Sequence, residues 1–369
     1  MKNKFLIFLV ILFIFYGQDL LAVYHFSSYQ GKNPIHIYKA NTKTPQGISP
    51  DQIKKIYNLP KTGGHGTIAI IDAYDDTTME NDLAVFDKTF NLPDCTTKNG
   101  CFEQHLMAAK TLTNSGWAGE TALDVEWAHA IAPNAKILLV EAKTPSGANL
   151  LSAIDYAAKR ADVVAVSMSW GGEETVEEKT LDSHFVSLPA QAGKSGAVFF
   201  ASSGDDGWGA SWPAASPNVV SVGGTSLSFK SDGSLNKETA WSGSGGGVSA
   251  YETQPAFQKN YVIPKANGMR AIPDVSYNAD PQSGFSVYDN KKWYVIGGTS
   301  AAAPQWAAIQ SLGLSAKNDK LYSDKTSSSY SNYFRDIVSG SNGDCKYYCQ
   351  ARNHYDYITG LGSPVTINF

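Results

Sequence analysis

Short apolar runs recur along the chain, and the stretches between several of them carry helical periodicity. The runs Thr67 to Asp72, Lys136 to Glu141, Val163 to Met168, Ala197 to Ala201 and Val219 to Val222 are nearly continuous in Val, Ile, Leu and Ala rather than alternating with polar residues. Strands buried on both faces read this way. Helical patterns occupy 119–131, 147–159 and 175–193. The alternation predicts an α/β domain of three layers, with a mostly parallel sheet flanked by helices and joined by right-handed crossovers. Active sites in such sheets collect at the carboxyl ends of strands. Three segments are expected there: Asp72, Ser202 to Gly207, and Gly297 to Ser300.

The amino end divides differently. Lys2 and Lys4 precede an apolar run from Phe5 to Tyr16, and small residues follow near Ala22. Residues 1–22 are therefore expected to be a secretory signal peptide, because the apolar run is shorter than the roughly 18 to 20 residues that span a bilayer. Residues 23–48 form a short polar extension. Ser49-Pro50 opens a helix-like piece in the manner of a capped start, and the globular domain is expected to run from 49 to 369 without an internal linker.

Composition narrows the function mainly by exclusion. A net charge of -4 without a basic cluster leaves no footprint for nucleic acid. The four cysteines fall in two close pairs, Cys95 with Cys101 and Cys345 with Cys349. In a chain expected to leave the cytoplasm, two local disulfides follow, and neither pair has the neighbours that complete a zinc spacing.

The most informative segment is Gly297-Gly298-Thr299-Ser300-Ala301-Ala302-Ala303-Pro304. Two glycines give way to a helix of minimal side-chain bulk, which exposes a hydroxyl at the turn. Gly224-Thr225-Ser226 repeats the tripeptide without the alanines and reads as a strand end. A nucleophilic serine needs a proton acceptor. His65 lies ahead of the Asp72 strand and reads as a turn residue. His129 comes close to Ala132-Pro133, where its helix must stop, and reads as helix packing.

Glu120 and Asp124 on the same helix stand four residues apart, so their side chains share one face. Trp127 and Ile131 continue that stripe, which directs it toward protein. Two buried like charges there raise each other's pKa and titrate as a pair sharing a proton. Acids near a helix start are also favoured for purely structural reasons, and on the helix alone both readings stand.

With the serine segment, this Glu-x-x-x-Asp pair resembles the sedolisins, the serine-carboxyl peptidases of subtilisin-like fold. The likeness extends, in matching order over roughly residues 48 to 367, through Val166 to Gly171, Ser203-Gly204-Asp205, Pro213 to Thr225, Trp241 to Val248 and Pro273-Asp274-Val275. It implies peptide-bond hydrolysis in which Ser300 attacks, Glu120 exchanges the proton, Asp124 orients Glu120 and a protonated Asp205 stabilises the oxyanion. Asp205 rather than Asp206 matches the family register. Asp72 is either a supporting acid or a strand-end residue, and Trp170 would line the substrate groove while remaining compatible with a core position. The resemblance also implies one structural calcium ion, held by Asp336, the carbonyls of Ile337, Arg352 and His354, and Asp356.

Two departures stand out. Arg352 and His354 occupy positions that are usually glycine in the family, and residues 23–48 are too few to form the long prodomain with which sedolisins are commonly made. The expected protein is a secreted, acid-active, calcium-stabilised monomeric peptidase acting on peptides or proteins. An Asp-His-Ser peptidase using Asp72 and a histidine, and an inactive peptidase-fold binding module, remain open alternatives.

Overall fold

The structure is a computed structural model, and it describes residues 29–33, 35–187, 196–313, 315–323 and 330–365. The expected signal peptide at 1–22 lies outside the described residues. Strands β1 (His36–Thr42), β2 (Thr67–Ala73), β3 (Phe102–Leu106), β4 (Lys136–Ala142), β5 (Val163–Met168), β6 (Val198–Ser202), β7 (Val219–Phe229), β8 (Leu235–Ala240), β9 (Val275–Asn278), β10 (Phe285–Asp289) and β11 (Lys292–Gly297) carry the architecture. Five helices concern the site: α1 (Pro50–Ile56), α2 (Met79–Phe90), α3 (Ser115–Ile131), α4 (Gly147–Ala158) and α5 (Thr299–Ser311).

Among the described residues eight strands form the main sheet, in the order β8-β7-β6-β5-β2-β4-β3 with β9 also paired to β7. Only β8 runs antiparallel to its neighbour. The continuous apolar runs are explained by the two cores. Ile68, Ile70, Ile137 and Leu139 point into one core, with Leu123 and Trp127 of α3 and Trp306 of α5. Ala69, Ile71, Leu138 and Val140 point into the other, with Leu150 and Ile154 of α4. Successive side chains thus alternate between two dry layers, which is why no polar face shows in the sequence.

Helix α1 is started by a reciprocal cap. Ser49 accepts from Gln52 N while Gln52 Oε1 accepts from Ser49 N, with Pro50 in the first turn. The expected disulfides Cys95–Cys101 and Cys345–Cys349 are both formed.

Four expectations are corrected. The 175–193 helix is replaced, over its described part, by single 3-10 turns at Glu178–Thr180 and Asp182–Phe185. Like charges four residues apart at Glu178 and Asp182 oppose a helix over this part. Gly224-Thr225-Ser226 lies inside β7 rather than at its end. The packed structure begins well before Ser49, because β1 pairs antiparallel with β11, which also pairs with β10. The Gly297-to-Pro304 segment therefore follows a strand of this second, three-stranded sheet and not a strand of the parallel sheet.

Candidate active site

Three elements deliver the side chains. At the start of α5, Gly298 takes φ +121°, a conformation that side chains disfavour. A Cβ on Gly297 would lie 2.5 Å from the carbonyl of Ala279. The paired glycines therefore allow β11 to turn at once into a helix whose small residues, Ala301 to Ala303, are wholly buried.

Pro304 sits inside that helix and has no N–H for the carbonyl of Ser300. The Ser169 hydroxyl fills the gap, donating to Ser300 O at 3.2 Å, while Ser300 Oγ donates to Ser169 O at 3.4 Å.

Helix α3 begins at Asn114, whose Oδ1 accepts from the N–H groups of Gly116 and Trp117. One and a half turns later come Glu120 and Asp124. Both are 0 % exposed, as is Ser300, so nothing reaches the hydroxyl unless something moves. None of the four carboxylate oxygens has a hydrogen-bond partner. Ser300 nevertheless lies near enough to favour the ionised form of Glu120, and such contacts often close only when substrate is bound.

Burial, then the charges of Asp124, Asp72 and Asp205, push the Glu120 carboxyl well above its ordinary range. Burial and Asp72 do the same to Asp124, against the favourable contacts of Ser169 and Glu120. Asp72, near the end of β2, is pushed up to about 8, mainly by burial and against a contact from Thr121. Asp72 is therefore part of this acid cluster.

Asp205 follows β6, beyond Gly204 at φ +106°. Its Oδ1 accepts from both the N–H and the hydroxyl of Thr299, at 2.8 and 2.7 Å. Burial raises its pKa, opposed by His36 and Thr299. Asp206 is exposed, so of the two neighbours only Asp205 is held beside the serine.

His129 is buried on the far side of α3, with Nε2 2.9 Å from Pro93 O and its pKa lowered to about 4 by burial. His65 is exposed ahead of β2. Neither supplies the base of an Asp-His-Ser arrangement. Trp170 does not present its ring to a groove: it is wholly buried, and Nε1 donates to Ile71 O at 2.9 Å.

A profile of the subtilase family matches residues 105–338, more than half of the chain. The chain belongs to the subtilase family. It is 32 % identical to kumamolisin from Bacillus sp. (strain MN-32) over 89 % of this chain and 64 % of that one. It is 30 % identical to sedolisin from Pseudomonas sp. (strain 101), over 87 % and 60 %. The chain thus spans about 60 % of the length of these relatives. A solved structure of Pseudomonas sedolisin, described as a serine-carboxyl proteinase complexed with pseudo-iodotyrostatin, superposes with a TM-score of 0.72 at 27 % identity. That match covers 87 % of this chain and 96 % of the other. Sphericase, at 20 % identity and a TM-score of 0.55, shares the fold.

In this subtilase the loop expected to bind calcium is gathered between two aspartates. Both Asp336 oxygens lie 3.0 Å from the N–H of His354. Asp356 accepts from the N–H groups of Arg352, Ile358 and Thr359 and from the Thr359 hydroxyl. The carbonyls of Arg352 and His354 belong to the loop that the two carboxylates bracket, and Ile337 follows Asp336. An all-oxygen set of this kind suits a hard cation.

The two non-glycine positions are accommodated. His354 adopts the left-handed conformation at φ +64°. Arg352 turns its guanidinium onto the Tyr347 ring, 4.2 Å from the centroid, and donates to Tyr347 O, which occupies the charge away from the loop carbonyls. Three site residues escaped the sequence reading: Ser169, Thr299 and His36. The first two lie inside motifs that pointed elsewhere, and His36 bears no local signal.

Proposed function

We propose that this chain is an acid-active serine-carboxyl peptidase that works through an acyl-enzyme. The observation that carries the reading is the placement of Ser300 between a buried carboxyl pair, Glu120 and Asp124, and a separate carboxyl, Asp205, held by Thr299. In the proposed reaction, Ser300 Oγ forms a bond to the scissile carbonyl carbon as its proton passes to Glu120. Asp205, protonated, donates a hydrogen bond to the oxyanion; ionised, it would repel it. Glu120 then returns the proton to the departing amine, and the C–N bond breaks. Water repeats the sequence on the ester, with Glu120 again taking and returning a proton. One negative charge shared within the cluster of Glu120, Asp124 and Asp72, the other acids being protonated, would let Glu120 accept the Ser300 proton.

The oxygen set of Asp336, Ile337, Arg352, His354 and Asp356 supports a structural calcium ion, which would supply charge neutralisation to Asp356, whose carboxyl burial pushes up to about 7. The leader-like pattern of residues 1–22 supports secretion. Peptide-library hydrolysis from pH 3 to 8 tests the whole reading: cleavage confined to the acid range is expected. Loss of at least about 100-fold in Ser300→Ala and Glu120→Ala is expected with the fold intact. Near-normal hydrolysis by Glu120→Ala at pH 4 would refute it.

A further inference from the structure

A buried cluster of metal-ligand side chains lies outside the proposed catalytic site. The loop between α2 and β3 carries Cys95 and Cys101, and the last turn of α3 carries His129. The two Sγ atoms and a ring nitrogen of His129 all lie within 4.8 Å of one another. In the oxidised chain the sulfurs are joined as a disulfide. Cys95 and His129 are wholly buried and Cys101 is half-buried, so the cluster is reached from the Cys101 side.

His129 has the hydrogen bonding of a metal ligand. Its Nε2 lies 2.9 Å from Pro93 O and 3.4 Å from Asp87 Oδ1. A carbonyl oxygen only accepts, so in the neutral ring Nε2 carries the hydrogen and Nδ1 keeps its lone pair. Nδ1 is buried and has no hydrogen-bond partner, which is costly for a polar atom out of water. Metal-bound histidines are held in this way: the ring nitrogen away from the ion donates to a carbonyl or carboxylate, which fixes the tautomer. Asp87 joins the two halves of the cluster, because its Oδ2 accepts from Cys95 N at 3.1 Å.

The loop is shaped by bonds that do not involve sulfur. Asn99 Oδ1 accepts from Thr96 N and Cys101 N, at 3.1 and 3.0 Å, and Asn99 Nδ2 donates to Asp94 O at 2.7 Å. Glu80 of α2 accepts from both the N–H and the hydroxyl of Thr97. These bonds keep both cysteines beside His129 when the sulfurs part.

We propose that Cys95, Cys101 and His129 form a zinc site that comes into being when their disulfide is reduced. A small thiol supplies the reduction: two of its molecules give up two electrons and two protons and become one disulfide, while Cys95 and Cys101 become two thiols. Zinc then displaces one proton from each thiol and is held by the two thiolate sulfurs and the Nδ1 lone pair, with water completing a tetrahedron. Sulfur and nitrogen donors suit zinc, whereas calcium and magnesium take oxygen. Oxidised, the two cysteines close the loop on itself. Reduced, they tie it through the ion to α3, the helix that also carries Glu120 and Asp124.

The test uses the full chain without oxygen, cobalt(II) as the spectroscopic probe and zinc as its competitor. After treatment with a small thiol that is then removed, cobalt is expected to bind with thiolate-to-cobalt charge-transfer absorption in the near ultraviolet. Zinc should abolish that absorption, and the oxidised chain should show none. Because Cys345 and Cys349 are also reduced, variants assign the signal. Cys345→Ser with Cys349→Ser should leave it unchanged and Cys95→Ser should remove it. His129→Gln and Asp87→Asn should each weaken cobalt binding at least about 10-fold. A second measurement needs no substitution: in the reduced chain zinc should slow alkylation of Cys95 and Cys101, read by peptide mass, and leave Cys345 and Cys349 as reactive as before. Absence of the charge-transfer absorption in the reduced chain overturns the proposal. So does alkylation of Cys95 and Cys101 at equal rates with and without zinc, or unchanged cobalt affinity in His129→Gln.

Discussion

Ser169 and Ser300 satisfy each other across 131 positions of sequence, each hydroxyl donating to the other's main-chain carbonyl. The relationship exists because Pro304 cannot make the helical bond to Ser300 O. A buried carbonyl without a partner costs about 1–3 kcal/mol. The hydroxyl that repairs the helix also sits beside Asp124, so one side chain ties the Ser300 backbone to the acid pair.

Ser169→Ala is expected to destabilise the fold by about 1–3 kcal/mol in urea denaturation. In a Pro304→Ala background, residue 304 regains an N–H and the cost should shrink to well under half. An equal cost in the two backgrounds would show that the Ser169 hydroxyl does not stand in for the missing helical bond.

Asp205→Asn replaces a titrating donor with a permanent one. The alkaline limb of kcat/KM against pH should move upward or disappear, since the wild-type donor is lost as pH rises through a pKa that burial has raised. Asp205→Ala removes the donor altogether and should cost about 10² to 10³ in kcat. Parallel pH profiles for the Asn variant and wild type would rule out Asp205 as the titrating group.

Stability should fall as pH rises from about 4 to 8. Asp72, Asp87 and Glu141 have folded-state pKa values of about 8, 7 and 7, all raised chiefly by burial. The unfolded chain loses these protons near pH 4 and the folded protein only later, so the stabilisation is complete below that point and is lost through the folded values, at about 1.4 kcal/mol per unit of difference. His129, lowered to about 4, acts oppositely between pH 6.5 and 4, but it is one group against several. Thermal unfolding followed by circular dichroism across this range checks the sign; a Tm that climbs steadily from pH 4 to 8 would contradict it.

Calcium should raise Tm, and a chelator should reverse the gain. At a free ion concentration 100-fold above Kd the stabilisation is about 2.7 kcal/mol. Asp356→Asn should remove most of the calcium response, whereas Arg352→Ala should retain it, because the Arg352 side chain is turned onto Tyr347. A response unaffected by Asp356→Asn would place the ion elsewhere.

The features legible in the sequence are those written in local pattern. Continuous apolar runs marked β2, β4, β5 and β6 because each packs into both cores. The four-residue spacing placed Glu120 above Asp124, the glycines and alanines around Ser300 marked the turn into α5, and the short cysteine spacings marked both disulfides. These follow from helix and strand periods that a few neighbouring residues define. The sequence misread 175–193 because a helical pattern says nothing of the packing that a marginal helix needs.

The family resemblance already pointed to Asp205 rather than Asp206, and the tertiary structure adds the physical reason: Thr299, 94 residues away, holds that carboxyl. Only the tertiary structure decided the inward burial of Asp72, the bond from Ser169 to a carbonyl orphaned by proline, and the passage of residues 29–33 and 35–36 across the site. Each depends on contacts between segments far apart in the chain, made largely through backbone groups that every residue carries. Such groups leave no mark in composition or period, so the sequence by itself pointed to Ser300, Glu120 and Asp124, while the fold decided how these side chains are held and what covers them.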